Sequence, residues 1–177
     1  MPLMDVIYPE GALDDGARQE LLSSLWRTCL RWEGVPESDL TAAIAWVYLD
    51  ERPRGHISVA GEPLAQTVYR VHVRVMSGFM EQSRIDGMVR EVSDAILAVD
   101  PSPGDGRPRV YCIVEEVPSG TWGVDGTVWH SAATAGAVGA DPERVEGIRA
   151  AVSAAPRIEV PLGRSVPASA HAVTNAR

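Results

Sequence analysis

The sequence predicts an α/β protein made of two fused β-α-β units sharing a four-stranded sheet, followed by a C-terminal helical extension. Three observations carry this reading. A strand, a helix, a second strand and a Gly-rich hairpin follow one another twice between residues 2 and 129. The hairpin segments, ERPRGHISVAG at 51–61 and EVPSGTWGVDG at 116–126, both fit E-x-P-x-G-x-x-x-V-x-G without a gap. A self-match at fixed spacing marks a duplicated unit. Beyond Trp129 the pattern stops. The units are therefore residues 1–65 and 66–129, joined near 62–66, with 130–177 as a helix and tail.

Each element has its own signal. Residues 2–8 (PLMDVIY) read as a short strand, closed by Pro9, Glu10 and Gly11. Asp14 and Asp15 then cap a helix running to about Trp32, with Leu21, Leu22, Leu25, Trp26 and Cys29 at helical spacing. Gly34 and Pro36 stop it. Residues 43–50 (AIAWVYLD) are β-branched and aromatic enough for a buried strand, and the first hairpin follows. In the second unit, residues 66–76 (QTVYRVHVRVM) alternate Tyr69, Val71, Val73 and Val75 against Arg70, His72 and Arg74. A helix is predicted from about Met80 to Val99, with Ile85, Met88, Val89, Val92 and Ile96 on one face. Residues 109–116 (RVYCIVEE) form the last strand before the second hairpin. Strands separated by a helix are expected to run parallel within each unit. Asp141-Pro142-Glu143 starts a further helix, 156–162 is a possible strand, and the rest reads as a tail.

Composition narrows the function. The chain has 177 residues, 24 acidic and 16 basic, for a net charge of −8. An acidic surface of that size disfavours nucleic acid or an anionic membrane as partner. No apolar run approaches the length of a membrane helix, and the expected location is the cytoplasm. Every basic residue is Arg, which excludes Lys Schiff bases and Lys-dependent phosphate loops. Cys29 and Cys112 are isolated, and His56, His72, His130 and His171 are scattered, so neither disulfides nor a metal site is expected. Both thiols fall on apolar faces and read as core residues.

The residue with chemical promise is Pro2. Removal of Met1 would leave it as a terminal secondary amine. An α-amino group titrates near pH 8, about two units below Lys, and burial or a neighbouring Arg lowers it further. Such an amine can serve as a general base in a protein without Lys. If Met1 is kept, Pro2 is an amide with no basic lone pair and this role disappears.

A strand starting at Pro2, two β-α-β units, and the hairpins GHISVAGE (55–62) and GTWGVDG (120–126) together resemble the tautomerase superfamily. The likeness is to fused, double-length members of the 4-oxalocrotonate tautomerase group. It covers about residues 2–129, with REVSDAI (90–96) similar to the family's helix. The resemblance implies a cofactor-independent fold in which Pro2 is the acid/base, Trp122 walls the pocket, and three chains form a homotrimer. It places the second unit's counterpart of Pro2 at Arg70, leaving one competent site per chain. The family's two substrate arginines fall on Ala12 and Met80, and on Trp46 and Tyr111. The equivalent places for the related dehalogenases hold Cys29, Met76 with Phe79, Ile113 and about Thr121.

The sequence thus points to a proline-based keto–enol tautomerase for a small 2-oxo or enol carboxylic acid, with no metal or organic cofactor. Pro2 is the catalytic residue; Trp122, Arg70, Arg74 and Tyr111 are the expected substrate contacts. Arg109 is a further candidate cation. The alternatives are a hydratase, decarboxylase or dehalogenase of the same superfamily, and a non-catalytic assembly protein that keeps the fold.

Overall fold

The alternation read in the strands becomes one four-stranded sheet in the order β2-β1-β5-β6. The structure is a computed structural model, and it describes residues 2–155. In the first unit, β1 (Leu3–Pro9) leads to α1 (Asp15–Glu33), then α2 (Asp39–Ile44) and β2 (Trp46–Arg52). After a single 3-10 turn at Arg54–His56, β3 (Ser58–Val59) and β4 (Glu62–Pro63) form the first hairpin. The second unit repeats the order with β5 (Tyr69–Met76), α3 (Gln82–Val99), β6 (Val110–Val117), and the hairpin of β7 (Trp122–Val124) and β8 (Thr127–Trp129). Two further helices follow, α4 (Ser131–Ala137) and α5 (Pro142–Ala154).

Pairing is parallel within each unit, β1 with β2 and β5 with β6, and antiparallel between units, β1 with β5. Period-2 geometry then sorts the side chains. Met4, Val6, Tyr8, Val71, Val73 and Val75 face the helices and are almost fully buried with Leu21, Leu25 and Cys29 of α1 and Met88, Val92 and Ile96 of α3. The other face stays open, and Trp46, Tyr48, Tyr111 and Ile113 are exposed large hydrophobic residues on it.

The helix signals hold. Asp14 caps α1 by accepting from the Ala17 amide at 2.8 Å. Gly34 ends it in the left-handed conformation (φ 72°), with Gly34 N–H to Arg31 O and Val35 N–H to Leu30 O. Glu91 of α3 ties the two long helices together. It accepts from Trp32 Nε1 at 2.8 Å and Thr28 Oγ1 at 3.1 Å, and pairs with Arg31 at 2.7 Å.

Several boundaries move. Residues 39–44 form α2, which takes Ala43 and Ile44 from the expected strand. The reason is local: Ser38 and Thr41 make a reciprocal capping box. The repeated motif does not span a hairpin but ends on its turn. Ala60-Gly61 (φ 55°, 84°) and Asp125-Gly126 (φ 47°, 77°) are the two left-handed residues joining β3 to β4 and β7 to β8. Such two-residue turns match the strand twist and favour Gly at their second position. Glu62 and Pro63, expected in the joint between units, are instead β4. Helix α4 was not anticipated.

The C-terminal helix begins at Asp141, whose side chain accepts from the Arg144 amide. Ile148 is completely buried, and the Arg144 guanidinium bonds the carbonyls of Glu33 and Phe79. The extension is thereby fixed to the end of α1. The expected strand at 156–162 lies outside the described residues.

Candidate active site

Pro2 is buried at the head of β1, where its carbonyl accepts from the Trp46 amide at 3.3 Å. Parallel pairing sets Leu3 beside Trp46, and antiparallel pairing sets Leu3 beside Arg74. The β7–β8 hairpin completes the enclosure, with Trp122 opposite Trp129 in its ladder. The result is a cavity of about 490 Å³ lined by Pro2, Trp46, Arg74, Trp122 and Asp125, with Ala43, Ile44 and Val124 among its apolar surfaces.

Three of the five expected site residues, Pro2, Arg74 and Trp122, therefore come together. The structure places Arg70 and Tyr111 elsewhere. They pair with each other across β5 and β6 and line a separate cavity at the opposite end of the sheet. The reason is direction: β5 runs antiparallel to β1, so Arg74, not Arg70, reaches the end where Pro2 lies. Arg109 is also withdrawn from candidacy. Its guanidinium meets Asp100 at 2.5 Å and bonds the carbonyls of Thr67, Asp100 and Ser102.

The assigned counterpart of Pro2 changes as well. Aligning the starts of α1 and α3, at Asp15 and Gln82, sets Pro2 against Tyr69. Both are buried, whereas Arg70 is exposed on the other face. Tyr69 gives its hydroxyl to Asp100 at 2.8 Å, and burial with that hydrogen bond pushes the phenol well above its usual range. Its backbone nitrogen donates to Arg109 O at 2.7 Å. Neither group is a free base.

Arg74 is the lining cation, and carboxylates already share its charge. Nη1 lies 2.8 Å from Asp5 and Nε lies 3.5 Å from Glu115, while Nη2 is 3.2 Å from His72 Nδ1. His72 in turn meets Glu115 at 2.8 Å. Asp125 is the lining carboxylate and sits exposed on the hairpin turn. One shared cation in a cavity lined by two indoles suits a single carboxylate attached to an apolar body better than a dicarboxylate.

Trp46 and Asp125 were not singled out as site residues. Trp46 stands where the resemblance expected a substrate arginine, and its indole Nε1 donates to Ala43 O at 3.0 Å. Both cysteines lie outside the cavity. Burial raises the Cys29 thiol strongly and the Cys112 thiol to about 11, consistent with packed side chains.

Neither a protein-family model nor a curated protein matches the sequence. Solved structures do match the architecture. A fused 4-OT that forms a symmetric trimer superposes with a TM-score of 0.60 at 20% identity, over 72% of this chain and 94% of its own. The fold is that of fused 4-OT. Native Ps01740 gives a TM-score of 0.58 at 22% identity over 70% of this chain and 99% of its own. A macrophage migration inhibitory factor-like protein from Entamoeba histolytica gives 0.56 at 12% identity over 72% and 98%. All three are covered nearly end to end, so this chain carries a stretch beyond the fused 4-OT fold. Among the described residues, no helix is long and apolar enough to cross a membrane.

Proposed function

We propose that the chain is a proline-based keto–enol tautomerase acting on a small 2-oxo or enol monocarboxylic acid with an apolar or aromatic body. The observation that carries this reading is the convergence of Pro2, Arg74 and Trp122 on one cavity. Removal of Met1 would turn Pro2 into a secondary amine in a partly apolar setting, which favours its neutral, basic form. In the ketonising direction the amine takes the enol O–H proton and returns a proton to carbon. The O–H bond is lost, a C–H bond forms, and C=C becomes C=O. Arg74 would hold the carboxylate or the enolate oxygen, and Trp46 and Trp122 would flank the apolar body.

Assembly is part of the proposal. The exposed Trp46, Tyr48, Tyr111 and Ile113 make the open sheet face a poor surface for an isolated chain. A homotrimer, following the symmetric trimer of the fused 4-OT neighbour, would cover this face between the two cavities at its ends. Sedimentation analysis across a dilution series checks this, with a trimer expected at micromolar concentration.

A second reading rests on Asp125. A carboxylate on the cavity wall could activate water, which would make the chain a hydratase for an unsaturated acid.

The deciding experiment is intact mass of the purified protein, followed by ketonisation of phenylenolpyruvate with Pro2→Ala alongside. Loss of Met1, together with activity that falls at least about a hundredfold in the variant, supports the proline base. Retained Met1, or activity indifferent to Pro2, overturns it and leaves a protein with the fold alone.

A further inference from the structure

The far end of the sheet carries a second cavity, of about 710 Å³, that shares no lining residue with the first. Arg70 and Arg74 lie four residues apart on one face of β5, about 13 Å along the strand. The second cavity repeats the plan of the first. The hairpin of the other E-x-P-x-G copy forms one wall through Ile57 and Val59; Leu64 and Tyr111 add apolar surface, and Arg70 supplies a guanidinium.

Two differences define what it can do. Arg74 is shared by Asp5 and Glu115, whereas the Arg70 guanidinium makes no hydrogen bond or ion pair with any described residue. The charge at this end is therefore available. Of the two carboxylates on the wall, Asp105 is engaged by Arg107 at 2.8 Å, and Glu62 sits exposed on β4. The second difference is the missing base: the strand starts at Tyr69, whose amide and phenol are both committed.

The geometry points to a second, non-catalytic site in this cavity, which binds a carboxylate carrying an apolar or aromatic body through Arg70 and Tyr111. A cavity with no free base but with an unpaired guanidinium against an apolar wall can recognise such a ligand without turning it over. The inference shares a ligand class with the proposed activity but does not depend on Pro2 chemistry.

Calorimetric titration of the full chain with 3-phenylpropanoate, which has no keto–enol pair, provides the test. Two binding events are expected. In the Arg74→Ala/Trp122→Ala double variant one event should remain, and in Arg70→Ala that event should weaken at least about tenfold. Arg70→Lys should recover part of it, and Glu62→Gln should strengthen it by removing a nearby negative charge. Arg70 is exposed, so these variants test binding without disturbing the core; Tyr111→Leu gives an independent second test through the wall. A single event that vanishes with Arg74 and Trp122 and ignores Arg70 overturns the site. So does a change of oligomeric state in Arg70→Ala with no second event in the wild type, which would assign this face to contact between copies. Loss of activity in Pro2→Ala leaves the second event in place, so the two proposals fail separately.

Discussion

The backbone amide of Trp46 donates to the carbonyl of Pro2 at 3.3 Å, which fixes an indole beside the first residue of β1. The contact is the first rung of the parallel β1–β2 pairing. It explains why Trp46 belongs to the cavity. It also sets the character of that wall, because an indole there offers apolar surface and no cation to a ligand.

Trp46→Arg should therefore shift selectivity. Relative to an aryl enol acid, KM for a dicarboxylic enol is expected to fall about tenfold or more, the worth of one charge-assisted hydrogen bond. Steady-state kinetics on both substrates checks this. An unchanged ratio would place Trp46 outside the substrate's reach.

The Arg74 network predicts effects of opposite sign. Arg74→Ala should raise KM for a carboxylate substrate about tenfold or more. Glu115→Gln removes a carboxylate at 3.5 Å from Nε and should lower KM, because less of the guanidinium charge is shared. If both variants raise KM alike, the network serves only to hold the sheet face.

Gly87 is a packing requirement. A Cβ there would lie 2.0 Å from Cη2 of Trp32, where α3 packs on α1. In an exposed helix Gly→Ala is stabilising, by roughly 1 kcal/mol. Here overpacking should reverse the sign, and Gly87→Ala should lose about 1–3 kcal/mol in urea unfolding. A Gly87→Ala/Trp32→Leu variant should recover part of the loss. A stabilised Gly87→Ala would contradict this packing.

Acid stability should depend on Asp100. Burial alone would raise its carboxyl, but hydrogen bonds from Ser102 and Tyr69 and the Arg109 charge hold it below the ordinary carboxylate range. The folded form then binds protons less readily than the unfolded chain. Its contribution is complete above the unfolded value near 4 and is lost as pH falls through the folded value. Asp100→Asn should be less stable at pH 7 by roughly 3 kcal/mol, because Arg109 loses its buried partner. The difference from wild type should shrink as pH drops below about 4. A difference that is constant from pH 7 to pH 2 would show that the carboxyl is not depressed.

Much of this protein was legible in its residues. The strands of QTVYRVHVRVM and RVYCIVEE follow from a period of two, and the helices from caps and a period near 3.6. The V-x-G endings of the two hairpin motifs are visible because a left-handed two-residue turn demands Gly at its second position. Pro2 and Trp122, singled out through chain position and the repeat, both line the first cavity. The short helix α2 was missed, since its residues Ala43 and Ile44 suit a strand equally well and only the Ser38–Thr41 box decides otherwise.

By itself, then, the sequence determined the long strands and helices, the duplication and the alternation of faces along each sheet strand. Tertiary structure decided which end of the sheet each residue occupies. Arg70 and Arg74 have the same period and the same face, so alternation cannot distinguish them. The antiparallel register of β1 with β5, set by burying Met4 and Val6 against Val73 and Val71, brings Arg74 to Pro2 and sends Arg70 to the other cavity. Register is a property of two strands that share a core, and a one-residue slip would turn every one of these side chains to the wrong face.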